Sequence, residues 1–299
     1  YFYLKKKILI FGGSGLIGST FINYSKELFE IFYTYNENPQ NFVHTNSNKI
    51  NLLLEREKIP SIINQFNPDV IINTVAYPSV DFCETNHDLA NELHVNVTKD
   101  IVDVASKNNC KVIYLSTDAV FEGELNKKYV EDDFPKPVNY YGISKLNAEK
   151  IVLENVNNVV LRTAVVYGSH TKSRFTNWIL EYLKENKTVD PFIDQFNTPT
   201  LVDDLAKSII KIIETDVSGL FHATGKTCIN RYEFAVKLAK SFRYDEKLVF
   251  PVTSKDKKQN APRPNSTCLD SSKLENAINF QFSNIENGIS FILDKSRSF

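Results

Sequence analysis

The sequence predicts an α/β fold, a doubly wound parallel sheet with a smaller α/β lobe on its C-terminal side, and three observations carry that prediction. Short apolar runs of strand length alternate with helical patterns through the first half of the chain. The run Ile8-Leu9-Ile10-Phe11 leads straight into Gly12-Gly13-Ser14-Gly15-Leu16-Ile17-Gly18 and then a helix. The runs at 70–74 and 111–116 are largely apolar, as strands covered on both faces are. Repeated strand–helix units of this kind imply right-handed crossovers and hence a parallel, Rossmann-type sheet.

The first strand ends in the glycine turn. Gly13, Gly15 and Gly18 fit G-x-G-x-x-G, and Gly12, Gly15 and Gly18 fit G-x-x-G-x-x-G. Glycine permits the tight turn, lets backbone N–H groups approach a pyrophosphate and lets the helix pack on the strand. The helix beginning near Leu16 then turns free N–H groups and its partial positive charge toward the phosphates. A glycine turn that binds nothing is the plainer alternative, and the strand–turn–helix setting weighs against it.

A second strand is expected at 31–34. A helix beginning near Glu55 stops at Asn67-Pro68-Asp69, because proline disfavours helix in the residue before it. Strand 70–74 follows, then a helix of about four turns or more in which Ala90, Leu93, Val97, Ile101 and Val104 recur at spacings of three and four. Strand 111–116 is read as the fourth; helix 141–154 and strand 159–162 come after it. Beyond Tyr167 the pattern loosens to helices at 173–185, 202–213, 231–242 and 285–293, with a Pro- and Lys-rich stretch at 251–264. We therefore expect an NAD(P)-binding domain at 1–165 and a substrate-binding lobe at 166–299, some segments of which return to the first domain.

Composition narrows the function. The 299 residues suffice for each lobe to bury its own core. The chain carries 35 basic and 36 acidic residues, a net charge of −1, so no global field attracts nucleic acid or an anionic membrane. No apolar stretch reaches the roughly 18 residues of a bilayer span, and the N-terminus lacks a signal-peptide layout, so a cytoplasmic location is expected. Cys83, Cys110, Cys228 and Cys268 lie far apart with no C-x-x-C pair, which argues against a disulfide framework and against structural zinc. The five histidines are equally scattered, and no metal site is expected. Methionine is absent, initiator included, so the sequence is expected to begin after the translational start.

The candidate chemistry centres on Tyr141 and Lys145. Four residues apart on a helix, they project from one face, so the ammonium is expected near the phenol. A phenol ordinarily titrates near ~10, and an adjacent cation favours the phenolate and suits it to acid–base work. The spacing alone is weak, and Tyr3 with Lys7 is an accidental match. Tyr141 differs by context: it opens a helix after a strand that ends in the hydroxyl pair Ser116-Thr117. Ligands of open α/β sheets bind at the carboxyl ends of strands, which places Thr117 beside Tyr141 to hold a substrate oxygen.

These residues resemble the extended short-chain dehydrogenase/reductase family, and within it the dTDP-4-dehydrorhamnose reductase group. The resemblance runs over almost the whole chain. It includes the glycine turn, Asn73-Thr74-Val75-Ala76 with Val80-Asp81 and Glu84, and Ser116-Thr117-Asp118-Ala119-Val120-Phe121-Glu122-Gly123. It continues through Tyr140-Tyr141-Gly142-Ile143-Ser144-Lys145, Leu161-Arg162-Thr163 with Tyr167-Gly168, and Asp194-Gln195 with Pro199-Thr200. Asp204-Leu205-Ala206, and Arg263-Pro264 leading to Leu269-Asp270 and Lys273-Leu274, complete it.

The resemblance implies a catalytic set Thr117, Tyr141 and Lys145. Tyr141 protonates a carbonyl oxygen while nicotinamide delivers hydride, Lys145 holds the nicotinamide ribose and tunes Tyr141, and Thr117 orients the carbonyl. It implies cofactor contacts from Gly12, Ser14, Gly15, Leu16, Ile17, Gly18, Thr34, Asn36, Asn51, Leu52, Thr74, Val75, Ala76 and Ser116 besides Tyr141 and Lys145. Substrate contacts would come from Asp118, Ala119, Asp194, Gln195 and Arg263. The substrate implied is a sugar carbonyl, nucleotide-linked; the group's pairing as a homodimer is implied as well. That pairing would use helices 88–107 and 141–154, the first with Val95 and Val102 as a second apolar row outside the sheet-facing stripe.

The chain departs from the group in places. Ala119 and Val165 stand where the group usually has Tyr and Trp, and Pro78 where it often has Thr, which reshapes the sugar pocket. Asn51 replaces a common Asp and His94 a frequent Asn. Around the second strand's end, Thr34, Tyr35 and Asn36 supply neither the acidic residue that favours NAD nor the arginine that favours NADP; Glu37 suits the ribose or a plain loop charge equally. Both NADP(H) and NAD(H) stay open, with a lean to NADP(H). Asp81 and Glu84 read as a polar helix start. Asp194-Gln195 suits either substrate contact or a brace between lobes. Two other functions compete with the reductase: a non-catalytic nucleotide-binding subunit resembling the beta subunit of methionine adenosyltransferase, and a nucleotide-sugar epimerase.

Overall fold

The computed structural model describes residues 5–40 and 42–297; Tyr3 lies outside them. A seven-stranded sheet forms the centre. Its strands are β1 (Lys7–Phe11), β2 (Glu30–Tyr35), β3 (Thr45–Lys49), β4 (Val70–Asn73), β5 (Lys111–Thr117), β6 (Val159–Thr163) and a last strand Gly219–His222. In space they run Gly219–His222, β6, β5, β4, β1, β2, β3, every pair parallel. The chain winds outward from β1 through β2 and β3, then returns to the other side of β1 with β4. That reversal opens a crevice at the carboxyl ends of β1 and β4, where such sheets bind ligands.

The helices in chain order are α1 (Leu16–Ser25), α2 (Ile59–Phe66), α3 (Val80–Thr85), α4 (His87–Asn91), α5 (Val97–Lys107), α6 (Tyr140–Leu153), α7 (Arg174–Lys184), α8 (Val202–Thr215), α9 (Arg231–Ser241), α10 (Ser272–Ile278) and α11 (Ile285–Arg297). Alternate residues of β1 serve opposite faces, as the two-residue strand period requires. Ile8 and Ile10 pack with Phe21 of α1, Leu205 and Ile209 of α8 and Leu274 of α10. Leu9 and Phe11 pack with Ile59 and Ile63 of α2, Val97 and Ile101 of α5 and Val152 of α6. A third cluster joins Ile179 of α7, Phe234 and Leu238 of α9, Ile289 of α11 and Tyr167. The chain beyond residue 166 is thus divided: α8, α10 and Gly219–His222 build onto the sheet, while α7, α9 and α11 surround a core of their own.

Three expectations need correction. β3 reads Thr-Asn-Ser-Asn-Lys, an exposed edge strand without apolar periodicity, so β5 is the fifth strand in the chain and not the fourth. Val102 is buried with Ile101 and Val104, so it forms no exposed row with half-buried Val95. A π-helical turn at Glu92–Asn96 joins α4 to α5 and adds a residue to the turn, which shifts the register of every later side chain. Finally, Cys228 and Cys268 form a disulfide across a separation of 40 residues, contrary to the reading of four unrelated cysteines; Cys83 and Cys110 are free and buried. Spacing says nothing of two cysteines that the fold brings together from different loops. Among the described residues no helix is long and apolar enough to cross a membrane, and no cluster of metal-ligating side chains occurs.

Candidate active site

The glycine turn is set by close approach. Gly12 adopts φ +88°, and a Cβ there would lie 2.6 Å from the Thr74 hydroxyl; a Cβ on Gly18 would lie 2.5 Å from Gly12 O. A Cβ on Gly15 would meet Gly12 O alone, at 3.2 Å. Gly12 and Gly18 are therefore demanded by the fold, whereas Gly15 leaves open space in front of the helix. Gly15 is the N-cap of α1 and supplies no side-chain cap, so the first-turn N–H groups of Leu16 and Ile17 are left for a ligand. An open cradle at an uncapped helix start fits a pyrophosphate. Thr74 closes the other side, its hydroxyl donating to Phe11 O at 3.0 Å, with half-buried Val75 and Ala76 beyond it.

Around β2, Gly13 N–H donates to Thr34 O at 2.9 Å, which ties the turn to the strand's end. Thr34 is buried, while Asn36 and Glu37 are exposed. The Asn51 side chain accepts from Leu53 N at 3.1 Å and Leu54 N at 3.3 Å, capping its own turn beside buried Leu52; its amide N–H₂ is left to donate.

Gly142 brings α6 onto the Asp118–Val120 turn, because a Cβ there would strike Ala119 O. Asn139 caps the helix, accepting from Gly142 N at 2.9 Å. Tyr141 is thereby set near Thr117, whose hydroxyl donates to Asp118 Oδ1 at 3.2 Å. Burial, with the charge of Asp118 behind it, pushes the phenol well above its ordinary value, opposed by the neighbouring Thr117 hydroxyl. This corrects the expectation of a phenol lowered by Lys145. The Lys145 ammonium instead donates to Leu115 O at 2.6 Å and lies 4.2 Å from the centre of the Tyr114 ring. Its own pKa is lowered to about 7 by burial, opposed by the carboxylate of Glu149.

Residues outside the expected set hold this cluster. His94 Nε2 accepts the Tyr77 N–H at 2.9 Å, so Nδ1 carries the proton and donates to Ser144 Oγ at 2.8 Å; Ser144 donates in turn to Tyr141 O at 3.0 Å. Burial lowers the His94 pKa to about 3, which fixes it as neutral. The Ser116 hydroxyl donates to Glu149, which also takes Arg162 through contacts of 3.0 and 2.7 Å. Asp118 is buried and accepts from Thr267 and, at 2.6 Å, from Asn197, both across the cleft. Its carboxyl is raised by burial against those bonds and the charge of Arg231. Ala119 is half-buried and donates its N–H to Thr117 Oγ1 at 3.1 Å.

A cavity of about 330 Å³ lies on the α7 and α9 side, lined by Gln195, Arg263, Arg174, Arg231, Phe175 and Trp178 among others. Arg263 pairs with Asp81 at 3.1 Å. Gln195 donates to Gln259 at 2.6 Å and Asp194 accepts from Ser254 N at 2.9 Å, so this pair braces the 251–264 stretch, and Gln195 also faces the cavity. The Arg231 guanidinium lies 5.3 Å from the centre of the Phe175 ring. Arg174 and Arg231 open helices that the sequence signals, but no local motif marks them as site residues.

Residues 6–298 match the family model described as the RmlD substrate binding domain. A dTDP-4-dehydrorhamnose reductase of Aggregatibacter actinomycetemcomitans is 31% identical over 77% of this chain and 82% of its own length. Methionine adenosyltransferase 2 subunit beta of Mus musculus is also 31% identical, over 91% of this chain and 82% of its own. A crystal structure of dTDP-4-dehydrorhamnose reductase from Bacillus anthracis, in complex with NADP, superposes with a TM-score of 0.88 at 25% identity, covering 98% of this chain and all of that one.

Proposed function

Since the chain belongs to the RmlD substrate-binding domain family, we propose that it is an NAD(P)H-dependent reductase of a carbonyl on a nucleotide-linked sugar. The observation that carries this reading is the Thr117–Tyr141 pair: a phenol held protonated by burial, beside a hydroxyl, at the carboxyl end of a central strand. Bound NAD(P)H supplies hydride to the carbonyl carbon. Thr117 hydrogen-bonds the carbonyl oxygen and Tyr141 donates its proton to that oxygen as negative charge develops there. The Lys145 ammonium, held by Leu115 O, offers its remaining N–H donors to the nicotinamide ribose. In this reading residues 1–165 hold the cofactor and 166–299 the substrate, apart from the segments that return to the sheet. Arg174 and Arg231 suit a diphosphate, and Phe175 and Trp178 suit a base or sugar face. A panel of nucleotide-linked 4-keto-sugars offered with NADPH and NADH tests it, with loss of reduced-nicotinamide absorbance for at least one sugar as the expected result.

The likeness to an adenosyltransferase beta subunit over 91% of the chain favours a second reading, a nucleotide-binding regulatory subunit. Its signature is co-purification with a catalytic partner and no cofactor oxidation with any sugar of the panel. For pairing of two copies, exposed Leu89 of α4 and Ile143 of α6 are the apolar residues that support a homodimer, in place of the Val95–Val102 row. Light scattering across a dilution series reads the mass directly.

A further inference from the structure

We propose that Lys172 selects NADPH over NADH by placing its ammonium on the 2′-phosphate of the adenosine ribose, a specificity contact supplied by the loop after β6 and not by the end of β2. The inference rests on the dinucleotide reading above.

The ribose of a dinucleotide sits at the end of the second strand, where an acidic residue takes its hydroxyls or a cation takes the extra phosphate. Here that end supplies Thr34, Tyr35, Asn36 and Glu37, with no cation. The glycine turn is bonded to the same place through Gly13 N and Thr34 O, at 2.9 Å. One residue further along the turn, Ser14 O accepts the Lys172 ammonium at 2.5 Å.

Lys172 is fixed there from both sides. His170 Nδ1 accepts the Lys172 backbone N–H at 2.9 Å, so Nε2 carries the proton and donates to Ser19 Oγ at 2.9 Å; Ser19 donates to Gly15 O at 2.6 Å. Asn177 of α7 holds His170 O at 2.9 Å and Thr171 O at 3.0 Å. Among the described residues Lys172 has no carboxylate within ion-pair distance, so its charge is opposed by a carbonyl alone. A lysine carries three rotatable donors on a flexible stem, and a phosphate dianion is a stronger acceptor than the Ser14 carbonyl. Lys49 of β3, in register with Tyr35 of β2, is another cation near this edge. Glu55 beside it is taken by Lys58, whose hydrogen bond is the main cause of its lowered carboxyl, with a smaller contribution from the Lys49 charge.

The test is equilibrium titration of reduced nicotinamide fluorescence with NADPH and with NADH, for the wild type, Lys172→Ala, Lys172→Arg and Lys49→Ala. The wild type is expected to bind NADPH more tightly. Lys172→Ala should weaken NADPH by about 10- to 100-fold and leave NADH within about twofold, as loss of one charge-assisted contact implies. Lys172→Arg should retain the preference, and Lys49→Ala should keep it. Equal weakening of both nucleotides by Lys172→Ala, an unchanged preference, or loss of preference in Lys49→Ala overturns the assignment while leaving the dinucleotide site standing. A wild type that binds both nucleotides equally overturns it too. A wild type that binds neither overturns the dinucleotide reading itself.

Discussion

His94 Nδ1 donates to Ser144 Oγ across 2.8 Å, and through it the loop after β4 is bonded to the helix that carries Tyr141 and Lys145. The Tyr77 end of this link exists only while the imidazole is neutral, because Nε2 must accept the Tyr77 N–H. Burial secures that state by lowering the pKa to about 3. His222, buried against Tyr129 O with the Arg162 charge nearby, is lowered to about 3 as well.

Both histidines bind a proton in the unfolded chain below about pH 6.5 but resist it in the folded one, so the unfolded state takes up more protons as pH falls. Their contribution is complete above pH 6.5 and is lost progressively toward pH 3. Each should cost about 1 kcal/mol by one pH unit below 6.5. Thermal melts of the wild type at pH 7.5 and 5.5 should show a fall in Tm, and His222→Gln should reduce that fall. An identical pH dependence in the variant contradicts the shift assigned to His222.

Glu149 joins Ser116 of β5 to Arg162 of β6 beneath the cleft, and both members of the ion pair are buried. Glu149→Ala leaves the guanidinium charged and unpaired, and should lower stability by about 3–5 kcal/mol. Denaturant titration checks it; a midpoint equal to that of the wild type means the pair contributes no such constraint.

Gly15→Val tests the cradle. Its Cβ would meet Gly12 O alone, at 3.2 Å, so the fold should survive while the branched side chain fills the space in front of Leu16 N–H and Ile17 N–H. Nucleotide affinity should fall by about 100-fold or more, the loss of several charge-assisted contacts. Circular dichroism should match the wild type. Undiminished affinity in a folded variant places the nucleotide elsewhere.

The sheet and its glycine turn were legible because apolar runs and glycines act locally: β1, β4, β5 and α6 fall within a residue or two of their expected ends. β3 was not, since an exposed edge strand of Thr-Asn-Ser-Asn-Lys carries no burial signal. Within the site, Thr117, Tyr141 and Lys145 were marked by motif, but the direction of the Lys145 ammonium depends on Leu115 O and Tyr114, which no helical spacing reveals. His94, Glu149, Arg231 and Lys172 owe their places to partners many residues away. The same holds for Cys228 with Cys268.

The central claim is that Tyr141 donates the proton that completes carbonyl reduction. The direct measurement compares turnover of the wild type and Tyr141→Phe at saturating reduced nicotinamide, on a keto-sugar nucleotide that the wild type reduces, with nucleotide affinity measured beside it. The account predicts a rate lower by about 10²–10⁴-fold, the usual worth of general acid catalysis, with affinity nearly unchanged. Turnover by the Phe variant comparable to that of the wild type would contradict it.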